Sequence, residues 1–177
     1  HYLHRRQRQM CIRDRRNILG ELNKGFAIAN DRLTRQRIPY AAGCIGVAIK
    51  AQEMALEYVP QRETFGAPLS SRQAIQWMLV DNDIDIKQSL WIVLEAAEKA
   101  QRGDPFRKEA AMAKLVATEA GGRVVDRCMQ MFGGLGVAKD LPLERWFREM
   151  RIRRIGEGPS EVQRHVIARE LLGSSLR

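Results

Sequence analysis

An all-α fold, an up-and-down bundle of the four-helix type, is predicted by three observations. Three long stretches, Lys24 to Arg62, Ser70 to Arg102 and Pro105 to Met131, repeat apolar residues at three- and four-residue steps. The breaks between them are short, which makes consecutive helices antiparallel neighbours with no sheet of consequence. Gly103-Asp104-Pro105 punctuates the second break as a turn. With 177 residues and 45% hydrophobic content, the chain suffices for one domain, taken here as residues 17–177, with a sizeable core.

Asn17 to Phe26 reads as a short extended piece closing in a glycine turn, followed by a helix start. In the first long helix Val47, Met54 and Tyr58 point inward, Gly43 and Gly46 allow close packing, and Pro39 is expected to kink the helix or to start a new one. Arg62 to Leu69 ends it, with Arg62 in the last turn and Gly66 just beyond. On the second helix Ile75, Met78, Leu79, Ile86, Leu90, Val93 and Leu94 form one apolar face. A second stripe, Trp77, Val80, Ile84 and Trp91, widens it, so this helix is expected to pack on two sides, in the bundle or against another subunit. The third helix has Met112, Leu115, Val116, Val124, Val125 and Cys128 as core candidates, and Gln130 to Gly136 closes it with three glycines in four residues. A short helix, Leu141 to Arg154, turns Trp146, Phe147 and Met150 inward, and a last one runs from about Pro159 to Leu172.

The net charge of +9 is uneven: residues 1–16 hold six arginines against Asp14, so the rest is only mildly basic. That opening segment reads as a basic arm, poorly ordered or foreign to the fold. Three widely spaced cysteines and three histidines without ligand spacing predict neither a disulfide framework nor a metal site. No run of 18 apolar residues and no apolar signal core are present, so no membrane span and a cytoplasmic location are expected.

One carboxylate stands out. Glu157 lies between Gly156 and Gly158, ahead of Pro159, in a turn that opens the last helix. An acid there is also what a helix N-terminus favours, by roughly 0.3–1 kcal/mol through the macrodipole. The residues alone leave both readings open, a cap and a general base.

Four motifs in order extend the reading. Asn-Ile-Leu-Gly (17–20), Arg-Glu-Thr-Phe-Gly (62–66), Gln-Met-Phe-Gly-Gly-Leu-Gly (130–136) and Gly-Glu-Gly-Pro-Ser-Glu-Val-Gln-Arg (156–164) resemble motifs of the acyl-CoA dehydrogenases, over about Asn17 to Leu172. The resemblance implies the C-terminal helical domain of such an enzyme, without the N-terminal helical and middle β domains. It implies Glu157 as the catalytic base, with Gln36, unable to take a proton, at the alternative base position, and Arg37 lining the acyl-CoA site. It implies FAD as cofactor, with Arg62, Thr64, Phe65, Gln73, Gln130, Gly133, Gly134, Pro159 and Glu161 at its contact positions, some of them reaching a neighbouring subunit's flavin. The implied reaction is α,β-dehydrogenation of an acyl-CoA to a trans-2-enoyl-CoA, in a homodimer or homotetramer, with an electron-transferring flavoprotein as acceptor. The isolated chain is expected to be inactive. Gly156 replaces the tyrosine usual before the base, and Pro159 and Glu161 replace a usual threonine and glutamine. The alternative from another class is a non-catalytic helical assembly or nucleic-acid-binding module with a basic arm.

Overall fold

The computed structural model describes residues 17–175, in two units whose described parts are residues 17–33 and 34–175. The expected basic arm, residues 1–16, lies outside the described residues. In the first unit no strand forms between residues 17 and 24. Gly20 turns the chain at φ +73°, a left-handed conformation that glycine adopts without strain, with the Ile28 Cδ1 2.8 Å from where a Cβ would stand. Helix α1, Gly25–Tyr58, begins there.

In the second unit the elements are the rest of α1, a hairpin of β1 (Glu63–Thr64) and β2 (Ala67–Pro68), α2 (Gln73–Arg102), α3 (Arg107–Phe132), α4 (Gly134–Val137), α5 (Leu143–Arg153) and α6 (Ser160–Leu172). Side-chain contacts give the directions. Lys99 meets Glu109, Asp85 meets Arg123 and Asn82 meets Cys128, so α2 runs antiparallel to α3. Cys44 backs onto Gly121, and the Tyr58 ring stacks on Phe132 with centroids 4.2 Å apart, so α1 runs parallel to α3. Helices α5 and α6 both pack on α3, Met150 against Gly121 and Glu170 near Arg107. They follow one another down α3 as a single bundle member broken at Glu157. The up-down-up-down order expected from the short loops is therefore present, with its fourth member interrupted.

Small residues set the helix spacing. Ala41, Cys44, Ala48, Ala51 and Ala55 on α1 and Ala110, Ala113, Ala117 and Ala120 on α3 are all 2% exposed or less. Gly121 belongs to this seam, since a Cβ there would meet the Met150 sulfur at 3.0 Å. Gly43 and Gly46, expected to bring helices together, instead face open space. Pro39 stays inside a continuous α1 and starts no new helix. It removes one helical donor, while Arg37, Ala41, Cys44 and Ile45 around it are buried, and that packing carries the helix through.

The seam of α2 differs from the predicted face. Ile75, Leu79, Asn82, Ile86, Ser89, Val93 and Ala96 alternate steps of four and three residues and turn inward, whereas Leu90 and Leu94 are exposed. Two polar residues occupy core positions because partners satisfy them. Asn82 donates to Gln52 Oε1 at 2.9 Å and accepts from Arg127, Gln52 donates to the Leu79 carbonyl at 3.0 Å, and Ser89 donates to the Asp85 carbonyl. Left unpaired, each would cost about 1–3 kcal/mol. On α3 Met112, Leu115 and Val116 are only half-buried, the core positions going to alanines, and on α5 Phe147 is exposed where Trp146 and Met150 pack inward. The stripe Trp77, Val80, Ile84 and Trp91 is exposed.

Candidate active site and cofactor cleft

The break between α5 and α6 is built from backbone strain and buried donors. The N–H groups of Ile155 and Gly156 both bond the Ile152 carbonyl, and then Glu157 and Gly158 take φ of +56° and +89°. A left-handed non-glycine residue costs roughly 1–2 kcal/mol, so the turn must be held from outside. Lys114, fully buried on α3, donates to the Gly158 carbonyl at 2.8 Å and the Arg154 carbonyl at 3.3 Å. Gln163, fully buried on α6, donates to the Glu157 and Gly158 carbonyls at 3.1 and 2.9 Å. The N-cap of α6 is Pro159, and no side-chain hydrogen bond caps the helix.

The Glu157 side chain faces charge. Its Oε2 is buried and bonds no protein group. Arg37, 6% exposed, carries a buried Nε that is likewise unbonded. The Arg37 guanidinium is pushed below its ordinary range by burial and by Arg107, with Glu157 pulling the other way, which places the two in one electrostatic neighbourhood. Tyr40 joins them, one turn further along α1. Burial raises its phenol, and the Arg153 guanidinium sits 4.5 Å from its ring centre. The two described thiols are poor nucleophiles, because burial pushes Cys44 up to about 11 and Cys128 up to about 12. Among the described residues no cluster of His, Cys, Asp or Glu is placed to hold a metal ion.

At the other end of α3 a cleft of about 470 Å³ is lined by Arg62, Thr64, Gln130, Gly133 and Gly134, above the stacked Tyr58 and Phe132. Helix α1 ends at Tyr58, so Arg62 lies beyond its last turn, on the strand side of the hairpin whose tip is Phe65-Gly66. The side chain of Arg72 bonds the Thr64 carbonyl and fixes that hairpin. Nothing stands within 4 Å of a Cβ at Gly133 or Gly134, so the backbone there is bare to an incoming molecule.

Residues 23–172 match the model of the acyl-CoA dehydrogenase C-terminal domain. The chain belongs to the acyl-CoA dehydrogenase family. It is 41% identical over 169 residues to the mitochondrial short-chain specific acyl-CoA dehydrogenase of Bos taurus, covering 93% of this chain and 41% of that protein. The butyryl-CoA dehydrogenase of Megasphaera elsdenii superposes with a TM-score of 0.85 at 42% identity, over 88% of this chain and 41% of that one. PigA, solved with FAD and proline, superposes at 0.84 with 27% identity, over 86% and 40%. The chain thus spans about two fifths of the length of these relatives.

In this acyl-CoA dehydrogenase domain the predicted site residues fall into two groups. Glu157, Pro159 and Glu161 belong to the broken fourth member, with Arg37 of α1 in the electrostatic neighbourhood of Glu157, and Arg62, Thr64, Gln130, Gly133 and Gly134 belong to the cleft. Lys114 and Gln130 mark the two levels on α3, 16 residues or about 24 Å apart along the helix. Phe65, fully exposed at the hairpin tip, and Gln73, exposed at the start of α2, do not line the cleft. Tyr40, Lys114 and Gln163 were not singled out from the sequence. A lysine spaced four residues from Ala110 and three from Ala117, on the small-residue seam of α3, is the signal that marks Lys114.

Proposed function

We propose that the protein carrying this chain is an FAD-dependent acyl-CoA dehydrogenase, converting an acyl-CoA thioester to a trans-2-enoyl-CoA. The observation that carries the proposal is the pair of buried, unbonded atoms, Glu157 Oε2 and Arg37 Nε, on two residues that act on one another electrostatically. Buried polar atoms without partners are rare and point to a ligand that completes them. A thioester α C–H is too weakly acidic for a carboxylate in water, so the base must be shielded and the carbonyl polarised. Glu157 accepts the α proton, and the left-handed turn sets its backbone N–H as a donor to the thioester carbonyl. Arg37 lines the acyl-CoA site.

The cleft suits FAD by its donor chemistry: the Arg62 guanidinium for a diphosphate, the Thr64 hydroxyl and Gln130 amide for sugar or base, and a bare glycine backbone for close approach. Bound FAD supplies the acceptor of the β hydride. Phe65 and Gln73, exposed, and Pro159 and Glu161, beside the base, are the remaining contact positions. Because the cleft and Glu157 lie at different levels of α3, the cleft is read as serving a neighbouring protomer's flavin. The exposed stripe Trp77, Val80, Ile84 and Trp91 supports homo-oligomer formation. An electron-transferring flavoprotein is the proposed acceptor, and buried free thiols fit a reducing compartment such as the cytoplasm. The isolated chain is read as inactive. No described helix is long and apolar enough to cross a membrane.

The test is anaerobic mixing of the FAD-loaded full-length protein with acyl-CoAs from butyryl to palmitoyl. Bleaching of the flavin band with at least one is expected. A band unchanged by all of them, in a protein that holds FAD, overturns the proposal.

A further inference from the structure

We propose that Lys114 is a positioning residue for Glu157: its ammonium, reaching out from α3, ties the two ends of the broken fourth helix and holds the base in its strained turn. The proposal rests on Glu157 being the base, as argued above. Lys114 is the largest fully buried side chain described, and a buried ammonium is costly unless its donors are satisfied. Its two hydrogen bonds go to main-chain oxygens on either side of Glu157, Arg154 at 3.3 Å and Gly158 at 2.8 Å. Among the described residues it has no salt bridge. Cys44, Arg37, Glu119 and Glu157 act on it only through the field, and burial lowers its pKa.

Core packing alone does not account for this choice. A methionine fills similar volume without the desolvation cost, and removing buried charge in favour of apolar volume is often neutral or stabilising. What methionine cannot do is donate to two carbonyls at once. Gln163 bonds the Glu157 and Gly158 carbonyls from the α6 side, and the Glu119 carboxylate links the Arg154 guanidinium to the Ser160 hydroxyl across the break, whereas Lys114 bonds main-chain oxygens on both sides of Glu157. Loss of that tie removes the main-chain anchor and lets residues 154–158 relax from positive φ against the remaining Gln163 and Glu119 contacts, displacing the carboxylate while leaving the cleft near Gln130 unchanged.

The experiment compares Lys114→Met, Lys114→Ala and Glu157→Gln in the FAD-loaded full-length protein, reading flavin reduction by butyryl-CoA and binding of a non-oxidisable 3-thia-acyl-CoA. A displacement on the order of 1 Å at the base predicts about 100-fold slower reduction in Lys114→Met, with FAD content and analogue Kd within about threefold. Added ethylammonium should restore part of the rate to Lys114→Ala and none to Glu157→Gln. Full-rate reduction by Lys114→Met while Glu157→Gln is inactive overturns the positioning role alone. Full-rate reduction by Glu157→Gln overturns the base itself. If neither lysine variant folds, hydrogen exchange in the unmutated protein decides. Protection of the Ile155 and Gly156 amides matching the α3 core supports the tie, and exchange as fast as at the Phe65-Gly66 hairpin tip overturns it.

Discussion

The hydroxyl of Tyr40 stands 2.9 Å from the point where a side chain on Gly156 would begin. Gly156 occupies the position before Glu157, where the family resemblance leads one to expect a tyrosine, and here a tyrosine from α1 reaches that space instead. The two positions are therefore coupled. Gly156→Ala should displace the Tyr40 hydroxyl and destabilise by about 1 kcal/mol, and by clearly less in a Tyr40→Phe background, where the hydroxyl is gone. A double-mutant cycle by urea denaturation measures the coupling. Additive effects would show that the close approach is relieved without cost.

Glu157 should separate stability from turnover. Glu157→Gln keeps shape and removes the proton acceptor, so acyl-CoA binding persists while flavin reduction falls by several orders of magnitude. Glu157→Asp keeps partial activity from a poorer position. Glu157→Gly relieves the φ of +56° and should raise stability by roughly 1 kcal/mol while abolishing turnover. A thermal scan beside stopped-flow reduction checks both signs.

Acid stability should depend on Asp85. Burial works against its charge, yet the hydrogen bonds from Arg123 and Arg127 hold its carboxyl below the ordinary carboxylate range. A pKa depressed in the folded state gives stability that is present above the unfolded value and lost as pH falls through the folded one. Asp85→Asn should therefore destabilise by about 1–3 kcal/mol at pH 7, with the difference shrinking in strong acid. A constant difference between pH 7 and pH 2 would show that the ion pairs contribute nothing.

The α2 stripe should govern assembly. Trp77 and Trp91 are 61% and 67% exposed although both are large and apolar. Trp77→Glu with Trp91→Glu should lower the mass measured by sedimentation without loss of helix content, since neither belongs to the core. An unchanged mass would assign the stripe elsewhere.

The bundle was legible because periodicity reports burial on long helices, and the Gly-flanked carboxylate was legible because glycine on both sides announces an unusual backbone. The α2 seam was misread for a physical reason. Asn82 and Ser89 occupy core positions, satisfied by Gln52 and by the Asp85 carbonyl, so an apolar pattern drifted to Leu90 and Leu94. Lys114 was hidden in the same way: lysine is ordinarily solvated, and its partners are main-chain oxygens more than forty residues away in the case of Gly158. Of the positions expected to contact a cofactor, Arg62, Thr64, Gln130, Gly133 and Gly134 come together in the cleft, while Phe65 and Gln73 are exposed.

Placing Glu157 and the glycine ledge at different levels of α3 has a genetic consequence. On the reading that the ledge serves a neighbouring protomer's flavin, a lesion at Glu157 and a lesion at Arg62 disable different halves of a shared site. Two alleles, each inactive by itself, would then complement when co-expressed, because a mixed oligomer contains an intact base opposite an intact ledge.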